Sequence, residues 1–309
     1  MNENDYLKKH LESLENNNSG SDNNHINNIH TNTLDTTKTI SELTYIPFDT
    51  SILPCGLFYP SGTTILIRAA TVKEIQAYSM VDDKNYYDVV DKMDEILSSC
   101  VRVKLADGTK KTYMELRDPD RYFVTFLIRE ITFQNGNTLT TNTQCTCGTD
   151  NNLPLTTNNF TKYDIDPKLE SFYNKSEKCF IFETQNNKTF KLAPPKIGLQ
   201  KGFIEYIIKM TSEKKKMNMS FLKIIPFTLY DRNSITQEGI ESKLEEFQKM
   251  DDMSFQFLNS AVEKLTFGIK NIKSECSNCG LEVHSTTIFP NGPSGIFVIH
   301  DAFERFIKK

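Results

Sequence analysis

The sequence predicts an α+β protein made of two diverged repeats, each consisting of a strand pair, helices and a short cysteine knuckle. Two close cysteine pairs, each followed by glycine, stand far apart in the chain: Cys145-Thr-Cys147-Gly148 and Cys276-Ser-Asn-Cys279-Gly280. A similar amphipathic helix pattern precedes each pair, and a similar strand pattern begins each half. Since a duplication accounts for all three observations at once, we expect two copies of one unit.

The length and composition fit two folded units and a tail. The chain has 309 residues, more than one average domain. Its first 40 residues hold ten asparagines and a single aromatic residue, so they have too little apolar surface to offset the entropy of ordering the chain. We predict a disordered Asn-rich tail over residues 1–45. The first repeat is predicted over residues 46–163, ending in the Cys-x-Cys knuckle, and the second over residues 164–309, ending in the Cys-x-x-Cys knuckle plus a C-terminal tail.

One short segment of the tail has a helical pattern. Leu7, Leu11 and Leu14 are spaced to lie on one face of a helix. Two interpretations stay open: a transient helix in a disordered tail, or a peptide that orders when it docks on a partner.

The first repeat begins with a predicted strand pair and a helix. Gly56–Gly62 leads into Thr63–Arg68 through a Pro/Gly turn, which is the pattern of a short hairpin. Thr71 and Glu74 form a capping-box pattern that predicts a helix through Met80. A second helix near residues 87–99 and a hairpin across residues 106–109 follow.

The helix before each knuckle carries the best evidence for duplication. Each helix is predicted to begin at an aspartate, Asp118 or Asp252, whose carboxylate can accept hydrogen bonds from the first N–H groups, and Pro119 suits a first turn. A constant offset of 134 residues relates the matching positions, which are Asp118 and Asp252, Phe123 and Phe257, Ile131 and Leu265, Thr132 and Thr266, and Phe133 and Phe267.

The front of the second repeat has the same order of elements. Cys179–Glu183 and Phe190–Leu192 flank a polar turn at residues 185–188, and a helix is predicted from Gly198 to Met210. The less regular middle, residues 217–248, contains a segment at Ser234–Gln237 that is predicted to cap a further helix.

The cysteine count argues against a disulfide framework. There are seven cysteines, an odd number, and no export signal precedes them. Cys55, Cys100 and Cys179 are isolated among apolar neighbours, so they are predicted to be small core side chains.

The remaining four cysteines predict a structural zinc site. A Cys-x-x-Cys-Gly turn directs two thiolates at one point, and two such half-sites form a zinc ribbon with no open coordination position. Cys145, Cys147, Cys276 and Cys279 can share one zinc ion only if the two halves pack with their knuckles together, about a local pseudo-two-fold axis. Three alternatives stay open: pairs without metal, a redox couple of Cys276 and Cys279, or His284 in place of one cysteine.

Several function classes are excluded by what the sequence lacks. It has no glycine-rich phosphate loop, no His-Glu-x-x-His and no Gly-x-Ser-x-Gly, so we expect no enzyme. The net charge is −4 and the longest basic run is Lys214–Lys216, which makes a nucleic-acid partner unfavourable. No signal peptide and no apolar run of membrane-spanning length is present, so we expect no membrane contact and synthesis in a cytoplasm.

Short sequence patterns in both halves resemble those of a known family. They are Leu53-Pro-Cys-Gly56-x-x-Tyr59, a helix that begins Asp118-Pro-Asp-Arg-Tyr-Phe123 and ends Ile128-Arg-Glu-Ile-Thr-Phe133, the two knuckles, and the aromatic-rich segment Gly295–Phe303. Over residues 48 to 305 the chain resembles the baseplate hub assembly family of T4-like contractile-tailed phages.

The resemblance implies a non-enzymatic structural or assembly protein of the virion tail baseplate, made in the host cytoplasm. Its implied partners are other baseplate or hub proteins, with the tape-measure protein as a further candidate. The competing hypothesis is a zinc-ribbon nucleic-acid-binding protein, which would need basic residues around the second knuckle. Lys264, Lys270 and Lys273 are the candidates for that role.

Overall fold

Small antiparallel sheets and helices alternate along a mixed α/β chain. The computed structural model describes residues 44–133, 139–183, 188–265, 272–285 and 293–297. The predicted disordered tail, apart from residues 44 and 45, and its leucine segment lie outside these residues, as does the turn at residues 185–187. No helix within the described ranges has both the length and the apolar character needed to cross a bilayer.

The first half contains a four-stranded antiparallel sheet in which neighbours in sequence are neighbours in space. Alternate residues of its strands point to one face, so Ile65, Ile67, Val101 and Val103 are buried together against the helices. The strands are β1 Ile46–Asp49, β2 Thr64–Ile67, β3 Val101–Lys104 and β4 Lys110–Thr112, and the helices are α1 Val72–Ser79, α2 Tyr86–Cys100 and α3 Asp120–Thr132.

One strand of the first half was wrongly placed by the sequence pattern. The partner of β2 is β1, whereas Gly56–Phe58 forms a 3-10 turn that inserts Phe58 into the core. A Cβ at Gly56 would lie 2.7 Å from the Thr50 carbonyl oxygen, so this close approach of two backbone segments requires glycine.

The helix starts are partly as predicted. The capping box at Thr71 and Glu74 is confirmed. Helix α3 instead begins after Pro119, with no side-chain cap, because Asp118 binds the Arg121 guanidinium. The next carboxylate, Asp120, accepts hydrogen bonds from the Cys55 N–H and the Tyr59 hydroxyl.

The second half contains a three-stranded antiparallel sheet and four described helices. Its strands are β7 Tyr173–Asn174, β8 Cys179–Glu183 and β9 Thr189–Leu192, and its helices are α4 Ile197–Ser212, α5 Met219–Thr228, α6 Gln237–Gln248 and α7 Asp252–Lys264. Helix α5 was missed by the sequence reasoning. Helix α6 was predicted, and its cap, Thr236, lies within the predicted capping segment Ser234–Gln237. The cap of α7 is Asp251 rather than Asp252.

The two halves share one apolar core and a polar connection. The Asp118 N–H donates to the Pro195 carbonyl, and the Ile197 N–H donates to the Leu116 carbonyl, each at 2.8 Å. The buried Arg117 guanidinium donates to carbonyls of both halves, those of Phe58, Pro194 and Tyr230. Cys55, Cys100 and Cys179 are fully buried, as predicted.

Two hairpins complete the described fold. They consist of β5 Leu139–Gln144 with β6 Asp150–Leu155, and β10 Ile272–Glu275 with β11 Glu282–Ser285. Strand β5 lies against β11, and β6 lies against β10. The cysteine knuckles are the turns of these hairpins, so their packing brings together residues more than 120 positions apart.

Candidate metal centre

Each hairpin turn holds its cysteines in a fixed backbone conformation. In the first, the Cys145 N–H donates to the Thr149 carbonyl at 2.9 Å, and the Gly148 N–H donates to the Cys145 carbonyl at 2.8 Å. In the second, the Gly280 N–H donates to the Cys276 carbonyl at 3.0 Å. Gly148 has φ +87° and Gly280 has φ +73°, values that disfavour any side chain.

All four predicted cysteines meet in one cluster. The Sγ atoms of Cys145 and Cys279 are 3.5 Å apart, and those of Cys147 and Cys276 are 3.7 Å apart. All four sulfur atoms lie within 4.8 Å of one another. Both of these close sulfur pairs therefore join one hairpin to the other.

This arrangement fits a tetrahedral metal ion with four thiolate ligands. Zinc–sulfur bonds of about 2.3 Å place neighbouring sulfur atoms about 3.8 Å apart in a tetrahedron, close to the cross-hairpin separations. Cys145 and Cys276 are buried, whereas Cys147 and Cys279 are exposed, so a bound ion would have an inner and an outer side. Since the protein supplies four ligands, the arrangement is typical of a structural site.

The thiols differ in acidity although they lie together. Hydrogen bonds from the Thr149 hydroxyl and N–H lower the pKa of Cys147 to about 6. The backbone N–H groups of Cys279 and Asn278 lower the pKa of Cys276. The Leu281 N–H lowers the pKa of Cys279, but the neighbouring Cys145 and Cys147 sulfurs outweigh it and raise that pKa to about 12. Four thiolates at this spacing would repel one another, and a bound cation would neutralise their charge.

Hydrogen bonds between the hairpins support the cluster. The hydroxyls of Thr141 and Ser285 are 3.0 Å apart and buried, and the Thr143 hydroxyl donates to the His284 carbonyl at 2.9 Å. The His284 imidazole is exposed and lies 3.5 Å from the Glu282 carboxylate. Among the described residues, the metal-ligand cluster consists of the four cysteines and does not include His284.

Sequence reasoning missed Asn151, which lies on β6 beside the thiols. Its side-chain amide donates to the Thr149 carbonyl at 3.0 Å and lies 3.5 Å from Cys276 Sγ. Its carbonyl oxygen accepts from the Ser277 N–H at 3.0 Å. A usable signal was present, because strand alternation places Asn151 on the same inward face as Leu153, where an apolar residue is expected.

The basic residues near the second knuckle are paired with acids. Lys273 lies 3.1 Å from the Glu282 carboxylate, and Lys264 forms an ion pair with Asp166. Lys270 lies outside the described residues. These pairings reduce the positive charge that a phosphate backbone would require.

Comparison with known proteins identifies the family to which this chain belongs. A family model described as T4 bacteriophage base plate protein matches residues 56–297, a range that includes both hairpins and all four clustered cysteines. This match places the chain among the structural proteins of phage tails. The chain belongs to the T4 bacteriophage base plate protein family. No curated protein and no solved structure matches it.

Proposed function

We propose that the protein is a structural or assembly component of the baseplate hub, acting through protein contacts rather than through chemistry of its own. The family match over residues 56–297 is the observation that carries this proposal. The proposed partners are other baseplate or hub proteins and the tape-measure protein, and the proposed location is the virion tail baseplate after synthesis in the host cytoplasm.

Exposed apolar side chains support a role in protein contacts. Met253 and Phe257 lie one turn apart on α7 and are 65% and 40% exposed. The Phe257 ring packs on the buried Phe182 ring of β8 with centroids 5.0 Å apart, which holds the partly exposed ring in place. Apolar surfaces of this kind suit burial against a partner.

We further propose that a zinc ion joins the two halves at the cysteine cluster. Cys145, Cys147, Cys276 and Cys279 would hold it, and the ion would supply a cross-link between positions 129 and 134 residues apart. The sulfur separations and the all-thiolate ligand set support zinc. Such a link would keep the second hairpin docked on the first.

The proposed duplication, with boundaries at residues 46–163 and 164–309, is supported by the way the hairpins meet. If each hairpin is exchanged for the other, Cys145 takes the place of Cys276 and Cys147 that of Cys279. The pair Cys145 and Cys279 then takes the place of the pair Cys276 and Cys147. In the same way, the contact of β5 with β11 takes the place of the contact of β10 with β6. The buried and exposed cysteines also correspond. This is the pattern that a local pseudo-two-fold axis produces.

Inactivation of the gene in the phage tests the proposed role. We expect loss of complete tails because hub assembly precedes tail growth in this proposal. Mass spectrometry of purified wild-type tails then separates a retained component, which is detected, from an assembly factor, which is not. Normal tails and normal infectivity without the protein would contradict both forms of the proposal. A chain that binds duplex DNA at low salt would favour the nucleic-acid alternative.

A further inference from the structure

The side chain of Asn151 joins the two knuckles through every part of its amide group. It belongs to the first hairpin and is only 8% exposed. On the amide nitrogen side it contacts the Thr149 carbonyl, in its own turn, and Cys276 Sγ, in the other turn. On the oxygen side it accepts from the Ser277 N–H at 3.0 Å and lies 3.2 Å from the Ser277 hydroxyl.

These contacts connect one side chain to a candidate ligand and to the backbone that holds it. Ser277 directly follows Cys276, so the bond to its N–H fixes the turn, while the N–H···S contact restrains the sulfur itself. Thr149 lies in the first turn, two residues after Cys147, so the hydrogen bond from the same amide to the Thr149 carbonyl also restrains that turn.

Among the described residues, the second hairpin has no buried counterpart to this side chain. Asn151 is three residues after Gly148, and the residue three after Gly280 is Val283, which is buried and apolar. The Asn278 amide, in the second turn, also faces a sulfur, but this side chain is exposed and its nitrogen lies 3.9 Å from Cys147 Sγ. The buried amide contact is therefore a feature of one half only, and duplication alone does not account for it.

We propose that Asn151 is a positioning residue of the metal centre, holding the Cys276 thiolate in place and withdrawing charge from its sulfur through the N–H···S hydrogen bond. This inference rests on the zinc centre proposed above. Hydrogen-bond partners of metal ligands typically contribute a factor of about 10–100 to metal affinity. An amide donor also makes a thiolate harder to oxidise, which alters the energy of charge transfer from sulfur to a bound metal.

Three variants of the full chain separate this role from simple packing. Asn151→Ala removes all of the contacts. Asn151→Asp keeps an oxygen acceptor for the Ser277 N–H but has no donor for sulfur. Asn152→Ala is the matched control, because Asn152 is the adjacent residue of the same strand and its side chain is exposed.

Two readouts are measured on each variant: zinc transfer to a competing chelator, and the thiolate-to-metal charge-transfer band after cobalt substitution. We expect Asn151→Ala and Asn151→Asp to lose zinc at roughly 10–100-fold lower chelator concentration and to move the band to lower energy. Asn152→Ala should match the wild-type chain. If Asn151→Ala does not fold, Asn151→Asp alone tests the positioning role, since its side-chain oxygen can still accept the hydrogen bond from the Ser277 N–H.

Wild-type zinc retention and an unmoved cobalt band in Asn151→Asp would overturn the positioning role while leaving the zinc centre intact. A wild-type chain that folds yet binds neither metal would overturn the centre itself, and this role with it. The two failures are therefore distinguishable from the wild-type measurement alone.

Discussion

Replacement of Cys279 by serine removes one of the four sulfurs and tests how much stability the proposed zinc link contributes. Cys279 is exposed, so the substitution leaves no cavity in the core, and its main effect should come through the lost ligand. Its Sγ lies 3.5 Å from that of Cys145, so the variant also loses one of the two close sulfur contacts between the hairpins.

The size of the expected loss of stability follows from the linkage between zinc binding and folding. At a free zinc concentration about 100 times the dissociation constant, binding stabilises the folded chain by about 2.7 kcal/mol. If three thiolates bind too weakly to be occupied at the same concentration, the variant loses this amount. The unfolding entropy is about 2.1 cal/mol/K per residue, so for the roughly 260 residues outside the predicted tail each kcal/mol shifts the melting temperature by about 2 °C. We therefore expect a decrease of about 5 °C.

Thermal unfolding followed by circular dichroism in a zinc buffer measures the shift, and the same experiment in excess chelator is the control. With chelator, the wild-type chain and Cys279→Ser should melt within about 1 °C of each other, because neither then has the metal link. Equal melting temperatures in the zinc buffer, with zinc bound to the wild-type chain, would show that the bound metal does not stabilise the fold. A difference that persists in chelator would show that the cysteine acts through packing.

Two further predictions concern the polar groups that connect the fold. Arg117→Met removes the hydrogen bonds from the guanidinium to three carbonyls of the two halves. In urea titrations it should lower the free energy of unfolding by roughly 3 kcal/mol. Arg232 is exposed, so the control variant Arg232→Met should change the free energy of unfolding by less than about 0.5 kcal/mol. Equal effects of these two variants would contradict the connecting role of Arg117. Burial raises the pKa of Asp120 from 3.8 to about 7. Between these pH values the folded chain binds a proton that the unfolded chain has released, so protonation of Asp120 stabilises the folded chain at low pH. That stabilisation is lost as pH rises from about 4 to 7. Relative to Asp120→Asn, the wild-type free energy of unfolding should therefore fall over that range, and a parallel pH dependence of the two proteins would count against it.

Local chemistry explains which elements the sequence could predict. The capping box at Thr71 and Glu74 acts within one turn, so its pattern alone was enough to place the start of α1. The cysteine turns were equally local, since each needs only two sulfurs and a glycine with positive φ. The cluster was expected from the spacing and glycines of these turns.

Tertiary contacts explain the elements that were misplaced. Asp118 was expected to cap α3, but the Arg121 guanidinium binds its carboxylate and the helix begins later. Gly56–Phe58 was expected to extend as a strand, but the chain turns there to bury Phe58. Helix α5 was missed because Pro226 lies inside it, and proline ordinarily argues against a helix interior.

The candidate site was predictable in its ligands but not in their surroundings. The four cysteines could be found by spacing, whereas the contact between Asn151 and Ser277 joins residues 126 positions apart. Only the packing of β6 against β10 brings these residues together. The duplication itself stays a prediction, with the paired hairpins as its structural support.

Metal analysis of the purified full-length protein tests whether one zinc ion joins the two halves. Elemental analysis by mass spectrometry, with protein concentration determined by amino-acid analysis, should find one zinc per chain. Cys279→Ser, purified in parallel under the same conditions, should contain much less. A wild-type chain that folds normally, with all four cysteines reduced and no bound metal, would contradict the account of the two halves as joined by a shared zinc ion.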